Sequence, residues 1–191
     1  MTLFLAADMR QTKKITVSAM AVALSVLIMA FGAFVEVMDL TVAAITTIIM
    51  MFVFVEVGKP YTYFVWLGTS ILSFAFFPQS LGWLSYFVLF GIYPILKAYI
   101  ERTPRPLWFW LKLIYFLVGE ALLVSVSTYI LGNPLLEAEM SIPLFAEYIE
   151  IFTAAMLLAL LCALFVYDIF MTIMIRAYFS SIRRRIERFL K

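Results

Sequence analysis

Two carboxylates lie inside long apolar runs of this sequence, where an ionised group is costly unless it is paired or hydrated. Glu120 lies in the run from 107 to 131, and Asp168 lies in the run from 151 to 179. In membrane segments such residues mark ligand sites, proton pathways or buried ion pairs. The chemistry that the sequence could do therefore begins with these two acids.

Glu120 has no basic residue at its own depth on its predicted helix. The helical face that carries Glu120 continues through Ser127 and Thr128 towards Asn133, which predicts a polar face that opens to the extracellular side. Two roles fit this placement. Glu120 is either a ligand-binding or proton-carrying group, or a protonated carboxyl group that hydrogen-bonds to a neighbouring helix.

Asp168 has basic residues within reach, so the structural interpretation is stronger for this acid. Thr172 and Arg176 lie one and two turns further along the same helical face, and Lys97 or Lys112 could reach it from neighbouring helices. We expect Asp168, Arg176 and Lys97 to form an intramembrane ion pair that holds helix ends together. A functional role for Asp168 is the alternative.

The residues that most enzymatic mechanisms need are missing. The sequence has no histidine and a single cysteine, Cys162, which excludes the common metal-ligand sets and an intrachain disulfide. Tyr167-Asp168 resembles half of an intramembrane aspartyl protease site, but the second motif, Gly-x-Gly-Asp, is absent, as is any phosphate-binding glycine loop. We predict that the protein is not an enzyme and holds no metal or cofactor.

The composition is that of an integral membrane protein. Of 191 residues, 65% are hydrophobic and 14% are charged, with a mean hydropathy of +1.06. Soluble domains contain roughly 45–50% apolar residues, and one of this size could not bury so much apolar surface. We predict one all-α domain over residues 1–191, embedded in a lipid bilayer and with no nucleic-acid partner.

Runs of about 20 apolar residues, the length that crosses a bilayer, recur along the chain. They are separated by short turns that contain the residues that end helices. The predicted fold is therefore a compact bundle of transmembrane helices, followed by a basic tail at 180–191. The predicted spans are 15–35, 40–57, 61–78, 81–100, 107–131 and 151–179.

Charge predicts the orientation of this bundle. If successive loops alternate between the two sides of the membrane, all 14 lysine and arginine residues fall at or near one face, and the opposite loops carry only acids. The basic face is cytoplasmic by the positive-inside rule, which places both termini in the cytoplasm of a cell whose plasma membrane holds the protein. The tail, with Arg183-Arg184-Arg185, is predicted to anchor on anionic lipid.

An aromatic stripe marks the fourth predicted span. Trp83, Tyr86, Phe90 and Tyr93 recur at helical spacing, which is typical of helix packing and also occurs in ligand platforms. Together with polar groups on the outward half, the stripe would line an apolar cleft, which is how small-molecule sites are built. The predicted substrate-binding residues are Gln79, Trp83, Tyr86, Glu120, Ser127 and Asn133.

The first predicted span carries small residues, including Ala19 and Ala23. Alanines four residues apart let another helix approach closely. The partner could be a helix of the same bundle or a helix of another protein.

These features together resemble the S components of energy-coupling factor transporters, the membrane-embedded substrate-binding subunits of bacterial vitamin importers. The likeness covers size, six-helix plan, short basic N-terminus and inside termini. Ala19-x-x-x-Ala23 matches the family's Ala-x-x-x-Ala motif, which docks the transmembrane T component. The stretch 89–97, Leu-Phe-Gly-Ile-Tyr-Pro-Ile-Leu-Lys, is similar to the fourth helix of small Gram-positive S components.

The resemblance implies a substrate cavity near the extracellular side, formed by helices four to six and the outer loops. It also implies a T component and paired cytoplasmic ATPases as partners, with the S component toppling in the membrane to release its ligand. No substrate-specific motif is matched. The acidic outer loops and Glu120 favour a cationic or amine-bearing ligand by charge complementarity.

Two other functions fit the sequence. One is a cell-envelope scaffold that resembles MreD-like proteins and binds other proteins but no ligand. The other is a small secondary transporter driven by protonation of Glu120.

Overall fold

The computed structural model describes residues 11–35, 39–129 and 149–179. All regular secondary structure among these residues is helical. The chain divides into two compact units, Met1–Glu139 and Met140–Lys191. The single domain that the sequence predicts over 1–191 stays a prediction. The second unit contains α7 (Ile149–Ala177). The first unit contains α1 (Gln11–Phe34), α2 (Asp39–Glu56), α3 (Lys59–Phe76), α4 (Leu81–Ser85), a π-helical segment (Tyr86–Phe90), α5 (Tyr93–Ile100) and α6 (Arg105–Tyr129).

Every predicted span overlaps helical structure among the described residues. Five segments of the described chain are long and apolar enough to cross a membrane, which confirms the all-helical class and the apolar character of the helices. These segments are Gln11–Phe34, Asp39–Glu56, Leu81–Ile100, Arg105–Tyr129 and Ala154–Ala177.

The helix α3 is not among these five segments, and it carries threonine and serine hydroxyl groups that face inward. Thr62, Thr69 and Ser73 are buried in the bundle, while large apolar side chains of the same helix are exposed. In water this arrangement would be reversed, since soluble helices bury their apolar face. The exposed apolar residues of α3 are Phe64, Leu67, Ile71, Leu72, Phe74 and Phe76.

The first three helices pack closely where small residues lie on α1. Ala21 packs with Val53 of α2 and Val65 of α3 in the buried core. Gly32 of α1 lies so near α2 that a Cβ atom on it would be 3.0 Å from the Cβ of Val42. The small side chains of α1 thus permit close contact between helices where a larger side chain would hold them apart.

The predicted span 81–100 is helical but interrupted. A π turn, closed by a 2.6 Å hydrogen bond from the Gly91 amide to the Tyr86 carbonyl, leads into a bend before α5 begins. Pro94 contributes to this interruption because it has no N–H to donate to the carbonyl of Phe90. Only glycine fits at position 91, since a Cβ atom would lie 2.6 Å from Trp66 and 2.7 Å from the Tyr86 carbonyl.

The described bases of the first unit gather at the end where α1 and α3 begin and α5 ends, which we call the lysine end. The Lys59 ammonium joins the start of α3 to the end of α5, lying 3.2 Å from the Tyr99 hydroxyl and 4.3 Å from its ring centroid. Assignment of this end to the cytoplasm stays a prediction. The described bases at or near the lysine end are Lys13, Lys14, Lys59, Lys97, Arg102, Arg105 and Lys112.

At the opposite end of the first unit, Asp39 clamps two helices together. Its carboxylate accepts hydrogen bonds from the Ser80 hydroxyl at 3.0 Å and from the Leu81 amide at 2.8 Å. The Ser80 oxygen in turn accepts from the Gly82 amide at 3.0 Å, capping α4. The carboxylate thus lies at a helix N-terminus, where a negative charge is stabilising, and connects the start of α2 to the start of the interrupted segment.

We expect Asp39→Ala to lower the free energy of unfolding by about 1–3 kcal/mol, because it removes a capping carboxylate and leaves buried donors unsatisfied. Thermal unfolding in detergent micelles, followed by circular dichroism, would measure the change. Thr41→Ala, at an exposed position of the same helix, is the control and should unfold as the unmodified protein does. Equal melting temperatures for both variants would contradict the clamp.

Candidate functional site

Glu120 lies on the inward face of α6. The side chain is 5% exposed, and its Oε1 atom accepts no hydrogen bond from any other described residue. Residues at three- and four-residue spacing form this face. They are Lys112, Phe116, Gly119, Glu120, Leu123 and Ser127.

A buried carboxyl oxygen with no partner is exceptional, because the great majority of buried polar side-chain atoms are hydrogen-bonded. Leaving such a group unsatisfied costs about 1–3 kcal/mol, and more if it is charged. A protein that retains this cost generally does so for a ligand, an ion or a proton. The predicted alternative is a protonated carboxyl group that hydrogen-bonds to a neighbouring helix. Among the described residues, Oε1 of Glu120 makes no such bond.

Gly119 brings the backbone of α6 against the π segment. A Cβ atom at this position would collide with the side chain of Leu89. Since Glu120 is the next residue, the close approach places the acid in the part of α6 that packs on the interrupted helix. Sequence reasoning missed this contact, although a glycine beside a mid-helix acid is a signal that could have indicated it.

Side chains from two neighbouring helices hold the carbonyl groups of the π segment. The Tyr115 hydroxyl of α6 shares its proton between the carbonyls of Val88 at 2.9 Å and Leu89 at 2.7 Å. On the other side, Trp66 of α3 donates from Nε1 to the Phe87 carbonyl at 3.2 Å and stacks on the Phe87 ring. Donors from α3 and α6 therefore satisfy carbonyl groups at the position where the regular α-helical hydrogen bonds are interrupted.

The predicted aromatic residues contact different helices. Tyr86 is fully buried and donates to the sulfur of Met50 on α2 at 3.4 Å. Tyr93, also fully buried, stacks on Tyr115 of α6 with ring centroids 5.7 Å apart. The π turn lies between these two tyrosines and changes the direction in which successive side chains point, so a regular helical spacing does not describe this stretch.

Trp83 and Gln79 lie at the end of the bundle opposite the lysine end. The Trp83 indole donates to the Pro78 carbonyl at 3.1 Å, and its ring meets the edge of Phe74 at 4.8 Å. Gln79 is exposed in the turn before α4. The predicted ligand-binding role of each stays a prediction.

The remaining predicted polar residues have different placements. Ser127 is fully buried on the same face of α6 as Glu120. Asn133 lies outside the described residues, so its predicted role is untested. Other buried hydroxyls, among them those of Ser25, Thr69 and Ser73, have no hydrogen-bond partner among the described residues, and the predicted site residues do not include them.

A carboxylate that was not predicted as a partner lies beside the buried lysines. Glu101 Oε1 is 3.2 Å from Lys97 Nζ and 4.0 Å from Lys112 Nζ, and Lys97 is only 2% exposed. The four-residue spacing of Lys97 and Glu101 places both on one helical face and could have predicted this ion pair.

The ion pair predicted for Asp168 involves residues of both units. Asp168 and Arg176 belong to α7 in the second unit, and Lys97 belongs to the first. The backbone carbonyl of Asp168 accepts a 2.9 Å hydrogen bond from the Thr172 hydroxyl. The pairing of Asp168 with Arg176 and Lys97 stays a prediction.

Ala19 and Ala23 are both exposed on α1, whereas Ser18 and Ala21 are buried against the neighbouring helices. The two alanines therefore lie on a face of α1 that the described bundle does not cover. The predicted docking role stays a prediction.

Comparisons of the chain with protein-family models, with curated proteins and with solved structures found no match. The case for a function accordingly depends on the residues and their geometry.

We expect Tyr115→Phe to destabilise the interrupted helix by about 1–3 kcal/mol, because two carbonyls in an apolar environment lose their donor. Thermal unfolding in detergent would measure the loss, and hydrogen exchange at the π segment would rise. Tyr129→Phe removes a hydroxyl from an exposed tyrosine on the same helix and serves as the control. If the two variants behaved alike, the hydroxyl of Tyr115 would not be holding the segment.

Proposed function

We propose that this chain is a membrane-embedded substrate-binding subunit that captures a small molecule at the extracellular side for uptake. Its ligand is a vitamin or a similar micronutrient, and a separate T component and ATPases complete the transporter, as in the S components that the sequence resembles. The observation that carries the proposal is Glu120, a buried acid on α6 whose Oε1 has no partner among the described residues.

The membrane arrangement proposed is six spans with both termini in the cytoplasm of the cell. The sixth span, in addition to the five segments apolar enough by themselves, is α3. Support for including α3 comes from its exposed apolar face and its buried hydroxyls, since lipid rather than water favours that polarity. The clustering of bases at the lysine end supports its cytoplasmic placement by the positive-inside rule.

The interrupted segment from 81 to 100 supports a ligand site near Glu120. In membrane transport proteins, helices broken within the bilayer supply backbone groups and flexibility at binding sites, and π turns are frequent at functional sites. Here Gly119 packs α6 on the π segment, beside the acid. A cationic or amine-bearing ligand would give the carboxylate its missing partner, and the low dielectric of the site would strengthen that pair.

A proton-coupled secondary transporter is the second candidate, favoured by the same acid, because an isolated intramembrane carboxyl is also the group that carries protons. The two candidates differ in what they require. A substrate-binding subunit retains ligand tightly and needs ATPases for uptake, whereas a secondary transporter moves substrate without them. A scaffold resembling MreD-like proteins would bind no ligand.

We expect the purified protein to carry a small molecule detectable by mass spectrometry, and Glu120→Gln to reduce the retained amount at least about tenfold, as loss of one buried charged contact implies. Glu56→Gln, which removes one negative charge near the lysine end, is the control and should retain the ligand. Normal ligand retention by Glu120→Gln would contradict the role of this acid, and an empty unmodified protein would contradict the proposed function.

Uptake assays in liposomes separate the two transport candidates. We expect no uptake by the isolated chain under a proton gradient. Uptake without any ATPase, abolished by Glu120→Gln, would establish the secondary transporter instead.

We expect Ala19→Leu and Ala23→Leu to abolish co-purification with a co-expressed T component while leaving the helical content unchanged, because both side chains would obstruct close helix contact. Ala121→Leu enlarges an exposed alanine on α6 and should not affect co-purification. Normal co-purification of the two α1 variants would argue against docking through this face.

A further inference from the structure

An apolar groove lies between α1 and α3 on the surface of the first unit, with a volume of about 410 Å³. Ile15, Ala19 and Val22 line it from α1, and Tyr61 and Phe64 line it from α3. On α3 the lining residues belong to the first two turns, and on α1 they extend from the second turn to the middle of the helix, so one end of the groove lies towards the lysine end. It is separate from the face of α6 that carries Glu120.

The groove offers an occupant apolar contact and almost no hydrogen bonding. Ser18, the one hydroxyl that α1 contributes to its wall, already donates to the Lys14 carbonyl at 2.8 Å. The groove extends over the two turns of α1 from Ile15 to Val22, about 10 Å at 1.5 Å per residue. The occupant must therefore be apolar over this length.

Two bases lie at the end of the groove. Lys14 precedes Ser18 by one turn on the same helical face, and Lys13 is adjacent to it. Neither makes an ion pair with another described residue. Lys59, at the start of α3, is held by Tyr99, so among the described residues Lys13 and Lys14 are the bases that can take an anion at this position.

The size of the groove favours a lipid chain over a helix. A helix with its side chains is about 10–12 Å across and could only lie over the opening. An acyl chain can enter, because the volume holds about a dozen methylene groups if each takes roughly the 30 Å³ of a water molecule. Apolar walls with two bases at one end are complementary to an anionic phospholipid, whose charge lies at one end of its chains.

We propose that this groove holds an acyl chain of an anionic phospholipid, with the phosphate group against Lys13 and Lys14. The lipid comes from the leaflet at the lysine end, because Lys13 and Lys14 lie there. The site requires that α1 and α3 lie in a bilayer, but it depends neither on a ligand at Glu120 nor on a T component. How often a lipid covers this part of α1 would then depend on the lipid composition of the membrane.

The test uses the full-length protein in nanodiscs made from equal parts of phosphatidylglycerol and phosphatidylcholine, which is then transferred to detergent for native mass spectrometry of retained lipid. We expect phosphatidylglycerol to be retained in preference. Lys13→Gln with Lys14→Gln should reduce that preference by roughly fivefold per lysine, the contribution expected of a base near an anionic surface. Lys59→Gln is the matched control and should leave the preference unchanged.

Ala19→Phe tests the groove itself, because its ring would occupy the space of the acyl chain. We expect it to reduce the retention of both lipids, whereas Ala23→Phe, one turn further along α1 and outside the groove, should not. Helical content by circular dichroism checks that each variant folds. If Ala19→Phe does not fold, the double lysine variant tests the proposal in its place, since it changes only the side chains of Lys13 and Lys14.

Three results would overturn the proposal. They are equal retention of the two phospholipids, an unchanged preference in the double lysine variant, or unchanged lipid retention in a folded Ala19→Phe variant. If Ala19→Phe retained lipid normally but lost a co-expressed T component, the groove would be a protein contact instead. Failure of the proposed function, an unmodified protein without small-molecule ligand, would leave the lipid measurement unaffected.

Discussion

The fold depends on one constraint, that a backbone polar group surrounded by apolar side chains finds no water and must be satisfied by the protein. Regular helices meet it by themselves, and the interrupted segment from 81 to 100 does not. There the protein supplies donors from outside the segment, with Tyr115 serving the carbonyls of Val88 and Leu89 and Trp66 serving that of Phe87. An interruption that needs two neighbouring helices to satisfy it also fixes how those helices pack. The position of α6, and of Glu120 on it, follows from this requirement.

The same constraint explains why α3 has its polar side inward. Its threonine and serine residues are buried, and two of them, Thr62 and Ser70, also donate to carbonyls one turn earlier. Mean hydropathy counts these hydroxyls as a cost of crossing the membrane. It takes no account of the direction in which they point, so it underrates the apolar character of the outward face of such a helix.

Helix positions could be predicted from sequence because length and apolar composition are sufficient to recognise them. The interruption at 86–93 could not, since the aromatic spacing of Tyr86 and Tyr93 suggested a regular helix and the π turn arises from tertiary hydrogen bonds. Gly91 and Pro94 were the local signals of a break. Glu120 was recognisable because an acid in an apolar run is rare. The sequence did not show that Glu120 lies close to the interrupted segment, because this closeness depends on the contact between Gly119 of α6 and the side chain of Leu89.

The acids of the first unit also show why Glu120 is the best candidate for function. Asp39 caps α4 through Ser80 and Leu81, and Glu101 lies between two buried lysines. Both are therefore engaged in holding helix ends, where charge pairs stabilise the bundle without meeting a ligand. Glu120 is instead near the middle of its helix, buried, and has an oxygen with no partner among the described residues. The proposal that Glu120 meets a ligand or a proton rests on this difference from the other two acids.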